Sequence, residues 1–154
     1  MIDPDLRELY QEIILDHGRR PRHFGHLEGA NREADGHNPL CGDKVHVYLK
    51  VSDNNIIDDV MFDGKGCAIS IASASMMTEL LQGKNVDEGK RLMNAFLDMV
   101  KGDDANFEGV DEDDLDQLQA MSGVSEFPMR VKCATLAWHT FAAAADGDQD
   151  ATTE

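Results

Sequence analysis

Val45-His46-Val47-Tyr48-Leu49-Lys50-Val51 is the stretch that decides the fold. Valine and leucine take every second position, and histidine, tyrosine and lysine take the others. Side chains along a strand alternate between its two faces, so this run reads as a half-buried strand. Ser52-Asp53-Asn54-Asn55 supplies a turn, and Ile56 to Phe62 reads as the returning strand of a hairpin. Gly64 and Gly66 then allow a tight bend into a helix from about Cys67 to Leu81, which Gly83 stops. Its residues are mostly small (Ala68, Ser70, Ala72, Ser73, Ala74, Ser75), so another element can pack close against it.

On both sides of this hairpin-and-helix unit the apolar period changes to that of helices. Leu6, Leu9, Tyr10, Ile13 and Ile14 share one face of a helix from Pro4 to about His17, with Asp3 as its cap, Pro4 at its first position and Gly18 at its end. Leu92, Phe96 and Val100 mark a helix over about 87–101, Leu115 and Leu118 a short acidic one over 111–121, and Pro128 opens a last helix running to about Ala145. Leu27 to Ala34 is a candidate third strand. The expected architecture is α+β: a small antiparallel sheet of about three strands packed against several helices. Residues 1–145 are expected to form a single domain, and 146–154 an acidic, disordered tail.

The chain has 154 residues and a formal net charge of −16, with 30 acidic against 14 basic side chains. Such a field repels phosphates, which argues against nucleic acid and anionic membranes as partners. The same excess reads as a solubility surface, or as adaptation to high salt, where screening relieves self-repulsion. Arg19-Arg20-Pro21-Arg22 is a basic island that reads as a solvated loop or part of a docking surface. Met1-Ile2-Asp3-Pro4 has neither the basic nor the apolar part of a secretory leader, and three cysteines cannot form a disulfide framework. A reducing cytoplasm is the expected compartment.

Those cysteines carry the chemistry. They occur in Asn38-Pro39-Leu40-Cys41-Gly42-Asp43, in Gly64-Lys65-Gly66-Cys67 and in Arg130-Val131-Lys132-Cys133. Gly42 lets the chain bend so that Cys41 and Asp43 can face one atom. Cys67 falls at a helix N-terminus, where free N–H groups favour thiolate, and Cys133 lies in the first turns of another helix beside Lys132. Spacing does not establish that the three meet. If they do, thiolate-rich tetrahedral coordination points to zinc or an iron–sulfur cluster and excludes an all-carboxylate magnesium or calcium site. The histidines are weaker ligands. His139 is six residues beyond Cys133, about 240° around the helix. His46 is on the strand face opposite its valines, and His17, His23, His26 and His37 lie in or beside loops and read as solvated, with His37 near enough to Cys41 to be considered. The serines of the Cys67 helix read as packing residues.

Taken together, these motifs resemble the IscU/NifU-like family, and within it the SufU branch. The resemblance covers Leu9-Tyr10, Asp16-His17, Asn38-Pro39, Cys41-Gly42-Asp43, Gly64, Gly66-Cys67-Ala68-Ile69-Ser70, Ala72 to Met77, Arg130-Val131-Lys132-Cys133-Ala134 and Leu136-Ala137-Trp138. Scaffold-type members have histidine immediately before the third cysteine, where this chain has Lys132. The long segment from Gly83 to Met129 also looks like a SufU insertion. The resemblance implies an IscU/SufU-like fold and a role in iron–sulfur cluster assembly. It further implies one zinc ion on Cys41, Asp43, Cys67 and Cys133. Cys41 would be the acceptor of persulfide sulfur from a SufS-like, pyridoxal-phosphate cysteine desulfurase, and Arg130 and Lys132 would lie at the partner contact. In that picture a histidine of the partner replaces Cys41 on the metal, a sulfurtransferase-like relay that passes sulfur to downstream assembly proteins. The alternative is a scaffold holding a transient [2Fe–2S] cluster; a purely structural zinc site is the third reading.

Overall fold

The computed structural model describes residues 4–39, 42–148 and 150–152. Helix α1 (Pro4–Arg19) leads through a loop to strand β1 (Arg32–Asn38), followed by β2 (Asp43–Val51) and β3 (Ile57–Lys65). Four helices come next: α2 (Ala68–Leu81), α3 (Val86–Val100), α4 (Glu112–Gln119) and, after a 3-10 turn at Ser122–Glu126, α5 (Pro128–Ala145). A short strand β4 (Asp150–Thr152) closes the order.

The sheet runs β3-β2-β1-β4, with the first three strands antiparallel and β4 parallel to β1. The α+β class stands, and two expectations change. The third strand is Arg32–Asn38 rather than Leu27–Ala34, because its inward positions are Ala34, Gly36 and Asn38, which carry no run of large apolar side chains. Small residues are required there because α5 lies directly underneath: a Cβ at Gly36 would sit 1.8 Å from the Thr140 hydroxyl. The tail, expected to lack structure, contributes β4 along Asp35–His37, so the sheet is mixed and has four strands.

The inner face of the sheet (Val45, Val47, Leu49, Val60, Phe62) packs against α5 and α2. Trp138 is fully buried in α5 and stacks on Phe96 of α3 with ring centroids 4.9 Å apart. The small residues of α2 are core on both sides: Ser70, Ser73 and Ser75 are buried, with α1 on one flank and α5 on the other. The Ser73 hydroxyl donates to the carbonyl of Ala134 at 2.5 Å, tying α2 to α5.

α1 continues through Gly18 to Arg19, past its expected end. His17 is correspondingly not solvated but 3% exposed. Its Nδ1 faces the Ser75 hydroxyl at 2.8 Å and its Nε2 faces Gln117 Oε1 at 3.2 Å. Ser75 Oγ also accepts the Arg22 backbone N–H at 2.8 Å. The consistent assignment is a neutral ring: Ser75 O–H donates to Nδ1, and Nε2–H donates to Gln117. This network joins α1, the basic loop, α2 and α4. Arg22 itself pairs with Asp16 at 2.5 Å and approaches Glu79 at 3.8 Å, so part of the basic island serves the fold.

Burial, and secondarily Arg22, hold the His17 pKa below its ordinary 6.5. The unfolded chain therefore takes up a proton near pH 6.5 that the native state refuses, and stability falls as pH drops from there toward the native pKa. One such group contributes a slope of at most about 1.4 kcal/mol per pH unit. His139, part-buried and beside Lys101, acts in the same direction. Denaturant titrations across pH 5 to 7 are expected to show a shallower acid-side slope for His17→Gln than for the unsubstituted chain.

Candidate metal centre

Three of the four expected ligands meet. One ligand atom each from Asp43, Cys67 and Cys133 lies within 4.8 Å of the other two, which is a spacing a single ion can bridge. Cys41 lies outside the described residues, as does Leu40.

Each donor is placed by local chemistry. Asp43 opens β2 opposite Asn38, and the Gly42 N–H donates to the Asn38 carbonyl at 2.9 Å, with Gly42 at φ +74°. The chain therefore turns sharply between the two strands, as Cys41-Gly42-Asp43 suggested. Cys67 is the N-cap of α2, and its side chain makes no capping bond, which leaves the sulfur for other work. Asp43 takes over part of the cap: its Oδ1 accepts the Cys67 N–H at 3.1 Å, and its Oδ2 lies 4.0 Å from the Cys67 sulfur. No acidic residue occupies the first turn of α2, so this carboxylate also supplies the charge that the helix N-terminus favours. Gly66 makes the approach possible, since a Cβ there would come within 2.9 Å of Asp43 Oδ1. Cys133 is fully buried one turn beyond Arg130 on α5.

Arg130 is exposed, and its guanidinium lies against the two sulfurs. The charge of Cys67, then a hydrogen bond to Cys133, raise its already high pKa. Lys132 is part-buried on the same helix. The histidines stand away from this centre. His46 is on the outer face of the sheet, held by Asp35 and by Glu33 at 3.2 Å. His37 is exposed, His23 bonds Thr78 at 2.9 Å, and His26 packs its ring edge on Tyr48. Among the described residues no histidine joins the cysteine–aspartate group. The buried His17 network was missed by sequence reasoning; the neighbouring Arg22, a cation close to Asp16-His17, was the available signal.

The donor set suits the metals inferred from it. Two buried or part-buried thiols and a carboxylate fixed by a backbone N–H are soft-plus-oxygen ligands of the kind zinc takes, and thiolates also hold iron–sulfur clusters. They do not suit magnesium or calcium.

The model of the NifU-like N-terminal domain matches residues 9–144. The chain belongs to that family. The NifU-like domain here is 41% identical over 134 residues, 87% of each chain, to the zinc-dependent sulfurtransferase SufU of Bacillus subtilis. It is 40% identical to the iron–sulfur cluster assembly scaffold protein IscU of Streptococcus pyogenes, over 87% of this chain and 80% of that one. A crystal structure of a candidate SUF-system scaffold, SufU from Fervidobacterium islandicum, superposes with a TM-score of 0.79 at 35% identity, covering 90% of this chain and 98% of that one. The IscU/SufU-like fold expected from the motifs is thus the fold observed. Among the described residues no helix is long and apolar enough to cross a membrane.

Proposed function

We propose that this NifU-like domain is a zinc-dependent sulfur acceptor of iron–sulfur cluster assembly, working in the cytoplasm with a cysteine desulfurase. Cys41, Asp43, Cys67 and Cys133 hold the ion, and Cys41 receives the sulfur. The observation that carries this reading is the meeting of Asp43, Cys67 and Cys133 donors within 4.8 Å, from the start of a strand and two separate helices. Covalent geometry keeps the Cα of Cys41 within about 7.6 Å of that of Asp43, two peptide units away. The 41% identity to a zinc-dependent sulfurtransferase supports the choice of ion and chemistry.

A bound zinc ion keeps coordinating thiols deprotonated at neutral pH and is itself redox-inert. The step proper belongs to sulfur. The Cys41 thiolate attacks the terminal sulfur of a persulfide on the desulfurase cysteine. A new S–S bond forms to Cys41, the donor's S–S bond breaks, and the donor cysteine leaves as thiolate. No net oxidant is needed, since the sulfane sulfur moves at constant oxidation level. Asp43, anchored to the Cys67 N–H, and the buried Cys133 hold the site in register while Cys41 reacts. Arg130 balances the negative charge of the sulfurs.

Purification under anaerobic conditions is expected to yield about one zinc per chain, with all three thiols becoming titratable only after a chelator removes it. Zinc-free protein with three freely reactive thiols throughout would refute the reading. The second reading, a [2Fe–2S] scaffold, is favoured by the similarity to IscU. It predicts instead a stoichiometric, transferable cluster on anaerobic reconstitution.

A further inference from the structure

Two lysines face each other at the end of the sheet nearest the metal centre. Lys44 of β2 is the cross-strand partner of Lys65 of β3; both are exposed, and they immediately follow Asp43 and shortly precede Cys67. Like charges directly opposite on an antiparallel pair destabilise it. The arrangement is conspicuous in a chain whose acidic residues outnumber its basic ones 30 to 14. At the far end of the same two strands the pairing is the favourable one, Lys50 with Asp59. The carboxylates of the next row do not relieve the repulsion: Asp35 is engaged with His46, and Asp63 accepts from Tyr48 at 2.8 Å. Among the described residues neither Lys44 nor Lys65 has a carboxylate within ion-pair distance.

We infer that the Lys44–Lys65 pair is the electrostatic docking contact for an acidic surface on the protein that delivers sulfur to this centre. The inference rests on the sulfur-acceptor reading above. Its occupant follows from charge complementarity. A chain of charge −16 repels an acidic partner from most directions, and this uncompensated positive pair lies beside the reactive cysteines, so an acidic partner is steered to approach end-on. The local repulsion within the pair is then relieved by the partner's carboxylates. Charges at the rim of an interface act mainly on association rate and on salt dependence, not on the chemistry that follows.

The experiment uses the full chain with the cysteine desulfurase of the same organism, following cysteine turnover and persulfide on Cys41. In Lys44→Glu/Lys65→Glu the like-charged pair is kept but its sign is reversed, so the fold bears a similar repulsion. The KM for this chain is expected to rise at least tenfold, kcat to stay within twofold, and zinc content to be unchanged. The salt dependence of KM between 50 and 500 mM should flatten or invert. The charge-matched control Lys50→Glu/Lys101→Glu should leave KM within twofold. Unchanged KM in the first variant, or an equal rise in the control, overturns the inference. So does loss of zinc with unchanged KM, which would assign the lysines to the metal centre alone. Failure of the sulfur-acceptor reading is separately visible as persulfide uptake that does not need Cys41.

Discussion

Cys41→Ala is expected to lower persulfide uptake from a cysteine desulfurase by at least two orders of magnitude, to the background of the remaining thiols. The reason is access as much as reactivity. Thiol–disulfide chemistry requires a thiolate in line with the sulfur it attacks, and it is suppressed where the sulfur is enclosed. Cys133 is fully buried, and Cys67 is part-buried with Arg130 laid against it. Pro39 and Gly42, which bracket Leu40-Cys41 in the sequence, are both exposed. Mass spectrometry of the intact chain after a single turnover checks the result: a 32 Da sulfur adduct is expected on the unsubstituted chain and not on the variant. Cys41→Ala protein carrying the adduct at the unsubstituted level would defeat the sulfur-acceptor reading. Zinc should be weakened but not abolished in the variant, since Asp43, Cys67 and Cys133 still converge.

Gly64→Ala is expected to cost about 3–5 kcal/mol of stability, among the larger effects a single methyl group can have. Two terms add. Gly64 has φ +146°, a conformation that side chains rarely adopt. Its Cβ would also lie 2.1 Å from the Lys44 carbonyl oxygen, which is backbone in the neighbouring strand and cannot rotate away. Gly29 separates the terms: it also has positive φ, at +80°, but nothing lies within 4 Å of its Cβ position. Gly29→Ala should therefore cost only about 1 kcal/mol. Thermal melting checks both; at this length the Gly64 variant should lose roughly 10 °C. Near-equal melting temperatures for the two variants would show that the strands yield to the methyl group. Because Gly64 directs the chain from β3 into Cys67, the same variant should also lose metal in proportion to its loss of fold.

What could be read in advance followed the strength of each periodic pattern. Val45 to Val51 and the residues of α3 announce their elements because burial on one face repeats at the period of strand or helix. α2 and α5, buried on nearly every side, were legible instead from their ends, Gly64, Gly66 and Gly83 for one and Pro128 for the other. β1 escaped because its inward side is Ala34, Gly36 and Asn38, chosen for clearance from Thr140 and not for hydrophobicity. β4 escaped because three residues carry no period, and its pairing with Asp35–His37 is tertiary. His17 looked solvated at the end of a helix; its partners Ser75 and Gln117 lie 58 and 100 residues away, beyond the reach of local pattern. The metal centre was legible as residue types, and through family motifs as a ligand set. The convergence itself was not, because Asp43 meets Cys67 across a separation of 24 residues and Cys133 arrives from a different helix. Cysteine at a helix start, glycine before it and aspartate after a glycine each had a physical meaning alone. Only the packing of α2 against α5 and the sheet turned them into one centre.

The hydroxyl of Ser73 bound to the Ala134 carbonyl has a reach beyond the core. It sits further along α2 from Cys67, and its acceptor is the residue after Cys133. The width of the gap between the two sulfurs is therefore gauged by a contact that no ion or persulfide ever touches. A bulkier side chain at either of these positions would act as a spacer, prising the helices apart and detuning the pocket from a distance while every ligand remained in place.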